Sequence, residues 1–470
     1  MKFIAFAAVA SAFVIPDAKL VSQLVLADNK APSETFHDAV DTIKSGVDAV
    51  GDWLRDSLIH HTPASDSAAV HSTFDTDNEL NAAFGPESSD LPIFDPVVVG
   101  KGKTSNLTLY ELIASSKDTA NFTSLVNEFP DVVAILNATA AAGVLNHTLF
   151  VPVDTAFASL PGGGLNESLP AAVRESIVRY HIGLGDFPYK VLFATHTLPS
   201  LYNEPLLGGA AQRLRVRFEK KLGVRVNFAA KIVAPNFVAA NGVLHALDTV
   251  LMPPTFVGRQ LSFVPDHYST LLLAMNVSNF TQYIHGLTNL NGSTVLAPNN
   301  AAFTLLGAEL NAFLFNTPRG LKYLHALLRY QTVPNATVYS DAYYGTPALA
   351  PPAPTVGAGG GLVERLHYQL PTLLGDATVS VNITSVPGYS VMLVNNKVRV
   401  AVQDGVAKNG VIQEVDRVIF PPAPAAVPGN PWADPPVKTV ADVVARLGPY
   451  VDDDSEDSDV PAAGSPVTEL

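Results

Sequence analysis

Two segments of the chain occur twice, in the same order, and this duplication constrains the fold more than any other feature. Residues 148–160 (TLFVPVDTAFASL) match residues 294–306 (TVLAPNNAAFTLL), and residues 241–254 (NGVLHALDTVLMPP) match residues 409–422 (NGVIQEVDRVIFPP). Two ordered segments that recur at this distance are typical of a duplicated domain, not of a short-period solenoid. The sequence therefore predicts two homologous domains in tandem.

The repeated segments resemble the two signature boxes of the fasciclin (FAS1) domain family. The first box corresponds to residues 150–157 and 296–303, and the second to residues 241–254 and 409–422. Between the boxes the family has a Tyr-His pair, which matches Tyr180-His181, whereas the second copy departs from it with Tyr330-Gln331. The resemblance covers roughly residues 105 to 422. It implies an α+β fold in which each domain is a β-sandwich-like wedge with packed helices.

The resemblance also implies a role in cell or matrix adhesion. Carried over, the candidate adhesion motif is the Tyr-His pair with its aliphatic neighbours: Tyr180, His181, Ile182 and Leu184. The partner implied is an extracellular or cell-wall protein or glycan. The alternative is that Tyr180 and His181 are polar residues of the core.

Composition excludes some classes of function. The net charge of −14 argues against nonspecific nucleic-acid binding, which needs a basic surface, and against docking on anionic lipid. The chain has no cysteine. Each domain must therefore be held by core packing, and thiol catalysis is excluded.

The N-terminus has the pattern of a secretory signal peptide, predicted over residues 1–18. Lys2 precedes an apolar run over residues 3–15, which is too short to cross a bilayer. A buried N-terminal helix is the alternative. No later segment has membrane-spanning length. The C-terminal end is an acidic run at 452–459 without an apolar tail, so neither a transmembrane segment nor a glycolipid anchor is expected.

Sequons for N-glycosylation support the export prediction. Chance predicts roughly three Asn-x-Ser/Thr triplets in a chain of this composition. The sequence has ten, at Asn106, Asn121, Asn137, Asn146, Asn166, Asn276, Asn279, Asn291, Asn335 and Asn382. All lie within the two repeats, and this excess favours glycosylation over a mere abundance of Asn and Thr in turns.

The regions outside the repeats have different compositions. Residues 19–104 are predicted to form an N-terminal extension, with an amphipathic helix over 34–59 followed by a linker. The domains are expected at 105–254 and 258–422, joined by a short linker near residues 255–260. A Pro/Gly-rich surface loop is predicted at 343–361. Residues 423–470 form a low-complexity acidic tail with a short helical pattern at 440–447.

No motif points to catalysis. The sequence lacks a Gly-x-Ser-x-Gly elbow, a His-Glu-x-x-His zinc motif and a Walker loop, and no cofactor or metal is predicted. Phe157 and Phe303 are expected in the core. Asp248 and Asp416 are expected within the closing strands, where each either accepts backbone hydrogen bonds or marks a local bulge; ligand binding is the alternative.

Two histidines of the first copy are replaced together in the second. His181 corresponds to Gln331, and His245 corresponds to Gln413. Since an amide can donate and accept like an imidazole, one hypothesis is that the two positions share a hydrogen-bond environment. Independent drift is the alternative.

These observations predict a secreted, N-glycosylated, non-enzymatic fasciclin-type protein of the extracellular matrix or cell wall, with a domain combination that looks fungal. The first alternative is a lumenal factor of the vacuole or endomembrane system. The second is a small-ligand binder or hydrolase.

Overall fold

The computed structural model describes residues 105–138, 146–158, 169–219, 223–280, 290–345, 364–386, 389–423 and 434–451. The predicted signal peptide, the 34–59 helix, the linker to residue 104 and the acidic run at 452–459 lie outside the described residues.

The first domain begins with helices whose starts follow from local sequence. A capping box between Thr108 and Glu111 starts the first helix, and Pro130 occupies the first turn of the third. The helices are α1 (Leu109–Ser115), α2 (Ala120–Asn127), α3 (Pro130–Asn137), α4 (Asp154–Ala158), α5 (Ala171–Tyr180) and α6 (Tyr189–Leu192). Their apolar faces cover one part of the sheet.

Seven strands of the first domain close into a barrel. They are β1 (His147–Pro152), β2 (Ile182–Leu184), β3 (Thr197–Asn203), β4 (Ala211–Glu219), β5 (Gly223–Val226), β6 (Ala230–Ala239) and β7 (Gly242–Leu247). The two signature boxes supply β1 and β7, which pair in parallel from His147–Gly242 to Pro152–Leu247. Both strands are buried at every residue, which explains their continuous apolar sequences.

The second domain repeats this plan. Its helices are α7 (Val257–Ser262), α8 (Pro265–Val277), α9 (Asn300–Leu306), α10 (Ala308–Asn316) and α11 (Pro318–Tyr330). Its strands are β8 (Ser293–Pro298), β9 (Thr332–Pro334), β10 (Ala336–Val338), β11 (Tyr343–Gly345), β12 (Glu364–Pro371), β13 (Thr378–Val386), β14 (Tyr389–Val394), β15 (Val398–Ala407) and β16 (Gly410–Val415).

The sheet of the second domain runs in the order β12-β13-β14-β15-β16-β8-β9, and β10 and β11 form a separate hairpin. The box strands β8 and β16 again pair in parallel. Among the described residues, every strand pair lies within one domain. The prediction of two tandem α+β domains without strand exchange is confirmed.

Three boundary predictions need correction. Residues 257–262 form α7, whose Val257 and Leu261 pack into the second core, so the linker near 255–260 is mostly helix. The closing strand β7 ends at Leu247 and therefore stops before Asp248, which was expected within it. The loop predicted at 343–361 begins with strand β11; residues 346–363 lie outside the described residues.

The helix predicted at 440–447 is confirmed, as α12 (Val440–Leu447), but it is not part of a detached tail. Val443 and Leu447 are fully buried in the core of the second domain. The guanidinium of Arg446 donates to the carbonyl of Pro421 at 3.0 Å and pairs with Asp434 at 3.0 Å. The second domain therefore extends to Val451, and its predicted end at residue 422 is too early.

The two domains contact each other through polar side chains of β4. Arg213 is buried; it donates to the hydroxyl of Thr197 at 2.5 Å and to the hydroxyl of Tyr344 at 3.2 Å. Asp341 of the second domain accepts the backbone N–H of Thr197 at 2.7 Å and lies 3.7 Å from the Arg213 guanidinium. The guanidinium also lies 5.5 Å from the ring centroid of Tyr339, a cation–π distance.

Other residues extend this interface along β4 and β15. Gln212 donates to the carbonyl of Ala407 at 2.9 Å, and Arg215 donates to the carbonyl of Gln403 at 2.8 Å. Farther away, the N–H of Gly292 donates to the carbonyl of Leu206 at 2.6 Å. Because both domains contribute buried polar groups, separating them would leave those groups without partners.

Candidate functional site

The tyrosine of the Tyr-His pair anchors a tight hairpin between β5 and β6. The Tyr180 hydroxyl donates to the carbonyl of Arg213 at 3.0 Å and accepts from the amide of Asn227 at 2.8 Å. The same amide's oxygen accepts the N–H of Arg215 at 3.0 Å. Asn227 has a φ of 50°, which Asn tolerates better than most residues. Burial raises the pKa of Tyr180, so the hydroxyl stays protonated.

The second domain repeats this network. The Tyr330 hydroxyl donates to the carbonyl of Thr378 at 3.2 Å and accepts from the amide of Asn395 at 2.9 Å. The Asn395 oxygen accepts the N–H of Ser380 at 3.1 Å. Sequence analysis missed both asparagines, although each precedes its second box by fourteen residues and this equal offset was a usable signal.

His181 is a buried, neutral group of the core. Its Nδ1–H donates to the carbonyl of Ile177 at 2.7 Å, and its Nε2 accepts the N–H of Leu251 at 2.9 Å. Its ring lies 5.1 Å from the ring of Phe122 in the helical layer. Burial lowers the pKa of His181 to about 4, so the imidazole stays neutral at physiological pH.

His245 uses the opposite tautomer. Its Nδ1 accepts the N–H of Asn236 at 3.2 Å, and its Nε2–H donates to the carbonyl of Phe187 at 2.9 Å. The ring stacks 5.7 Å from Phe150. Burial lowers its pKa to about 4 as well.

The hypothesis that the two histidine positions share a hydrogen-bond environment is wrong. Among the described residues, His181 and His245 have no common hydrogen-bond partner, and their rings contact residues of separate core clusters. The replacements are instead local. Gln413 accepts the N–H of Asp404 at 3.0 Å and donates to Val338 at 2.8 Å, as His245 does with its own neighbours.

The candidate adhesion motif cannot serve as a contact surface in this fold. Tyr180, His181 and Ile182 are each 0 % exposed, and Leu184 is only partly exposed. Their polar atoms are engaged by the backbone and by Asn227. The sequence prediction of an adhesion site here is therefore corrected: the Tyr-His pair holds the barrel together.

The second box is also structural. The Asn241 oxygen accepts the N–H of Leu109 at 2.8 Å, and its amide donates to the carbonyl of Leu136 at 2.8 Å, which ties α1 and α3 to the sheet. The next residue, Gly242, has a φ of 153°, and a Cβ there would lie 2.0 Å from the carbonyl oxygen of His147. The parallel pairing of the two boxes thus requires glycine at this position.

The remaining box predictions have mixed outcomes. Phe157 and Phe303 are buried, as expected. Asp248 and Asp416 lie just after their strands and are exposed, so the prediction that they lie within the strands is wrong. Asp248 does accept a backbone N–H, from Lys231 at 2.8 Å.

The second domain has a buried carboxylate, Glu414, at the position where the first domain has Ala246. Glu414 accepts from the hydroxyl of Tyr268 at 2.6 Å and from the amide of Asn299 at 2.8 Å, and His267 lies 3.9 Å away. Burial by itself would raise its pKa, but the His267 imidazole and the hydrogen bonds from Tyr268 and Asn299 hold the pKa of Glu414 below its ordinary value. The carboxylate therefore stays ionised and links α8 to the box strands.

The sequon asparagines lie outside the core. Nine of the ten fall in the described residues. Seven of these are exposed, and Asn335 and Asn382 are partly exposed. None of the nine is buried, so the fold leaves room for a glycan at the described sequons; attachment itself stays a prediction.

The described residues contain no group of three or more His, Cys, Asp or Glu side chains that could hold a metal ion. Within the same residues, no helix is both long and apolar enough to cross a membrane.

Comparison with known families gives a match for both domains. The model of the Fasciclin domain matches residues 117–253 and 266–421, more than half of the chain. The chain belongs to the Fasciclin domain family. This result confirms the resemblance of the boxes: the first box of each domain lies inside a matched region, and the second box does so except for its last residue.

Several characterised relatives are similar over part or most of the chain. The Aurofusarin biosynthesis cluster protein S of Gibberella zeae is 27 % identical over 76 % of this chain and 90 % of its own length. The Transforming growth factor-beta-induced protein ig-h3 of Sus scrofa is 26 % identical over 64 % of this chain, which spans 38 % of that protein. A solved FAS1 domain pair from the insect cell adhesion molecule Fasciclin I shares 17 % identity over 66 % of this chain and 95 % of its own, with a TM-score of 0.31.

Membership of this family supports a general statement about function. The fasciclin domain is typical of adhesion-type proteins, which are generally non-enzymatic and extracellular or secreted. The buried state of the Tyr-His pair shows that any partner of this chain must be bound by other residues.

Proposed function

We propose that this chain is an exported, N-glycosylated adhesion protein that binds an extracellular or cell-wall protein or glycan and performs no catalytic step. The observation that carries the proposal is the pair of complete fasciclin domains, joined by buried polar contacts, in which the described sequon asparagines all lie outside the core. Acceptor asparagines outside the core of a two-domain protein suit a protein that works in an extracellular environment.

The partner surface must be sought on exposed side chains. Since Tyr180 and His181 are fully buried, contact through them would require local unfolding of the barrel. Substitution of these residues would impair folding before it impaired binding. Loss of adhesion in such a variant would therefore say nothing about the binding site.

Export and glycosylation are tested together. The full chain, tagged at its C-terminus, is expected to reach the medium or wall fraction and to migrate well above 49.7 kDa until treated with an endoglycosidase. A control in which all ten sequon asparagines become Gln should migrate at the unmodified mass. Retention in the vacuolar lumen would favour the lumenal alternative, and unmodified protein in the cytosol would refute the proposal.

A second candidate function comes from the Gibberella zeae relative, whose name ties it to a biosynthetic cluster and which matches over 90 % of its length. On this alternative, the chain acts as an accessory protein beside biosynthetic enzymes. Deletion of its gene should then change the profile of metabolites that the cell produces and leave cell attachment unchanged. The opposite result would favour adhesion.

A further inference from the structure

One face of the first domain carries a concentration of positive charge that the net charge of the chain conceals. Residues 211–231 hold seven of the 29 Lys and Arg residues of the chain, and Glu219 is their only acidic residue. Arg213, Arg215 and Arg217 alternate along β4 and so share a face of the sheet. The first two are buried at the domain interface, whereas Arg217 is exposed beside it.

Cations continue across the sheet from Arg217. Arg217 pairs directly with Arg225 on β5, and Arg225 pairs directly with Lys231 on β6, so the three side chains form a row on one face. Like charges directly opposite one another destabilise a sheet. Their persistence in an acidic chain suggests that the row serves a purpose other than stability.

An exposed aromatic ring lies in the hairpin that joins two strands of this row, β5 and β6. Phe228, in the hairpin between Arg225 and Lys231, is 48 % exposed and has a φ of 66°. A bulky residue with positive φ is strained. The guanidinium of Arg215 lies 4.0 Å from the ring centroid and holds one side of the ring, while Arg215 itself donates to Gln403 of the second domain.

The second domain shows that the fold does not require this arrangement. Its hairpin has Asn396 at φ 58° where the first has Phe228, held by the same asparagine–tyrosine network. Its matching cross-strand row is Asn382, Leu393 and Arg399, with the same register. Asn382 is itself in a sequon, whereas strands β4 to β6 contain none. Two of the three cations, Arg217 and Arg225, the strained ring and the lack of a glycan acceptor are therefore specific to the first domain, whereas the Lys231 position carries a cation, Arg399, in the second domain as well.

We propose that Arg217, Arg225, Lys231 and Phe228, here called the cationic face, bind an acidic polysaccharide. Strand spacing places neighbouring cations about 5 Å apart, which is close to the length of one sugar unit in an extended chain. The ring of Phe228 offers a flat apolar surface to a pyranose, and the cations bind the carboxylates of uronic acid units. This inference rests on the proposed function, because the chain must be outside the cell to meet such a polymer.

The charge and the ring together favour a glycan over the acidic run at 452–459 of the chain itself. That run could neutralise the cations, but its Asp, Glu and Ser residues would make no use of a strained exposed ring. The run is nevertheless a competitor that the experiment must separate.

The test is binding of the purified full chain to polygalacturonate, measured by affinity electrophoresis and calorimetry, with uncharged dextran and polyglutamate as control polymers. Polygalacturonate should bind more tightly than either control, and raised salt should weaken it. Phe228→Asn, which installs the residue of the second domain, should weaken binding about tenfold, since roughly 50 Å² of ring surface is no longer covered. Lys231→Gln should weaken it about threefold, as for an exposed ion pair. Lys117→Gln, at an exposed cation before α2, should have no effect.

Three results would overturn the proposal. The first is that the chain does not bind polygalacturonate. The second is that polyglutamate binds equally well and Phe228→Asn has no effect, because the occupant would then be an acidic peptide. The third is binding that appears only after the acids at 452–459 are changed to amides, which would make that run the occupant of the face. Unchanged thermal unfolding of each variant excludes misfolding. All these measurements use purified protein, so their failure is independent of the export and gel-shift results that test the proposed function.

Discussion

Replacing His245 by Gln should remove an acid-sensitive contribution to the stability of the first domain. The pKa of His245 falls to about 4 in the folded chain because the ring is buried, whereas in the unfolded chain it is about 6.5. The unfolded state therefore binds an extra proton between these values. Stability from the neutral imidazole is complete above pH 6.5 and is lost as the pH falls toward 4, by about 3 kcal/mol in total.

The second domain shows that the substitution is sterically and chemically reasonable. Gln413 accepts a backbone N–H and donates to a carbonyl at the position that corresponds to His245. His245→Gln should therefore change the unfolding free energy at pH 7.5 by no more than about 1 kcal/mol, because both hydrogen bonds are kept. Between pH 6.5 and 4.5 the variant should lose less stability than the unmodified chain.

Urea unfolding followed by circular dichroism at half-unit pH steps measures this difference. Subtracting one profile of unfolding free energy against pH from the other removes the contribution of the carboxylates, which titrate equally in both proteins. His181→Gln is the contrasting variant: Gln331 donates to the carbonyl of Ile419, whereas His181 accepts from the N–H of Leu251, so a glutamine placed as in the second domain loses that hydrogen bond and should destabilise the chain at pH 7.5, where the imidazole is neutral. A His245→Gln profile parallel to that of the unmodified chain would refute the reasoning.

Three further changes test the network, the interface and the domain boundary. Asn227→Ala should cost about 2–3 kcal/mol, since two partly buried hydrogen bonds and a favourable residue at positive φ are lost; urea midpoints measure it, and a shift below that of an exposed substitution would contradict it. Arg213→Ala should cost about 3 kcal/mol and separate the calorimetric transitions of the two domains; a single unchanged transition would show that the interface is not what couples them. Leu447→Ala should destabilise the second domain by about 2–5 kcal/mol, whereas an unaffected melting curve would mean that α12 is dispensable.

The repeated boxes were sufficient to predict the number of domains, their α+β class and the core positions of Phe157 and Phe303. Those predictions succeed because the boxes are the two central strands, whose burial on both faces leaves continuous apolar sequences. The short helix at 440–447 was predicted for a similar reason, from its amphipathic pattern. What the pattern could not show was the surface on which that helix packs, because docking depends on contacts with α11 that are distant in sequence.

The site could not be predicted to the same extent. Tyr180 and His181 look like exposed polar residues until their partners are known, and those partners, Asn227 and Leu251, lie about 50 to 70 residues away along the chain. The cationic face was hidden for another reason. A net charge of −14 is an average, and it says nothing about three cations that three different strands bring into one row.

The parallel pairing of the first and last strands in each domain sets an order of events during synthesis. β1 can pair with β7 only after β7 has been synthesised, about 90 residues later, and β8 likewise can pair with β16 only after β16 has been synthesised. Every one of the ten sequons precedes the closing strand of its own domain. In a chain that emerges from its N-terminus, each acceptor asparagine is thus synthesised before the closing strand of its domain can pair. Sugars transferred at that stage would be present when the sheet of the domain is completed, and only asparagines that end up outside the core are compatible with that step.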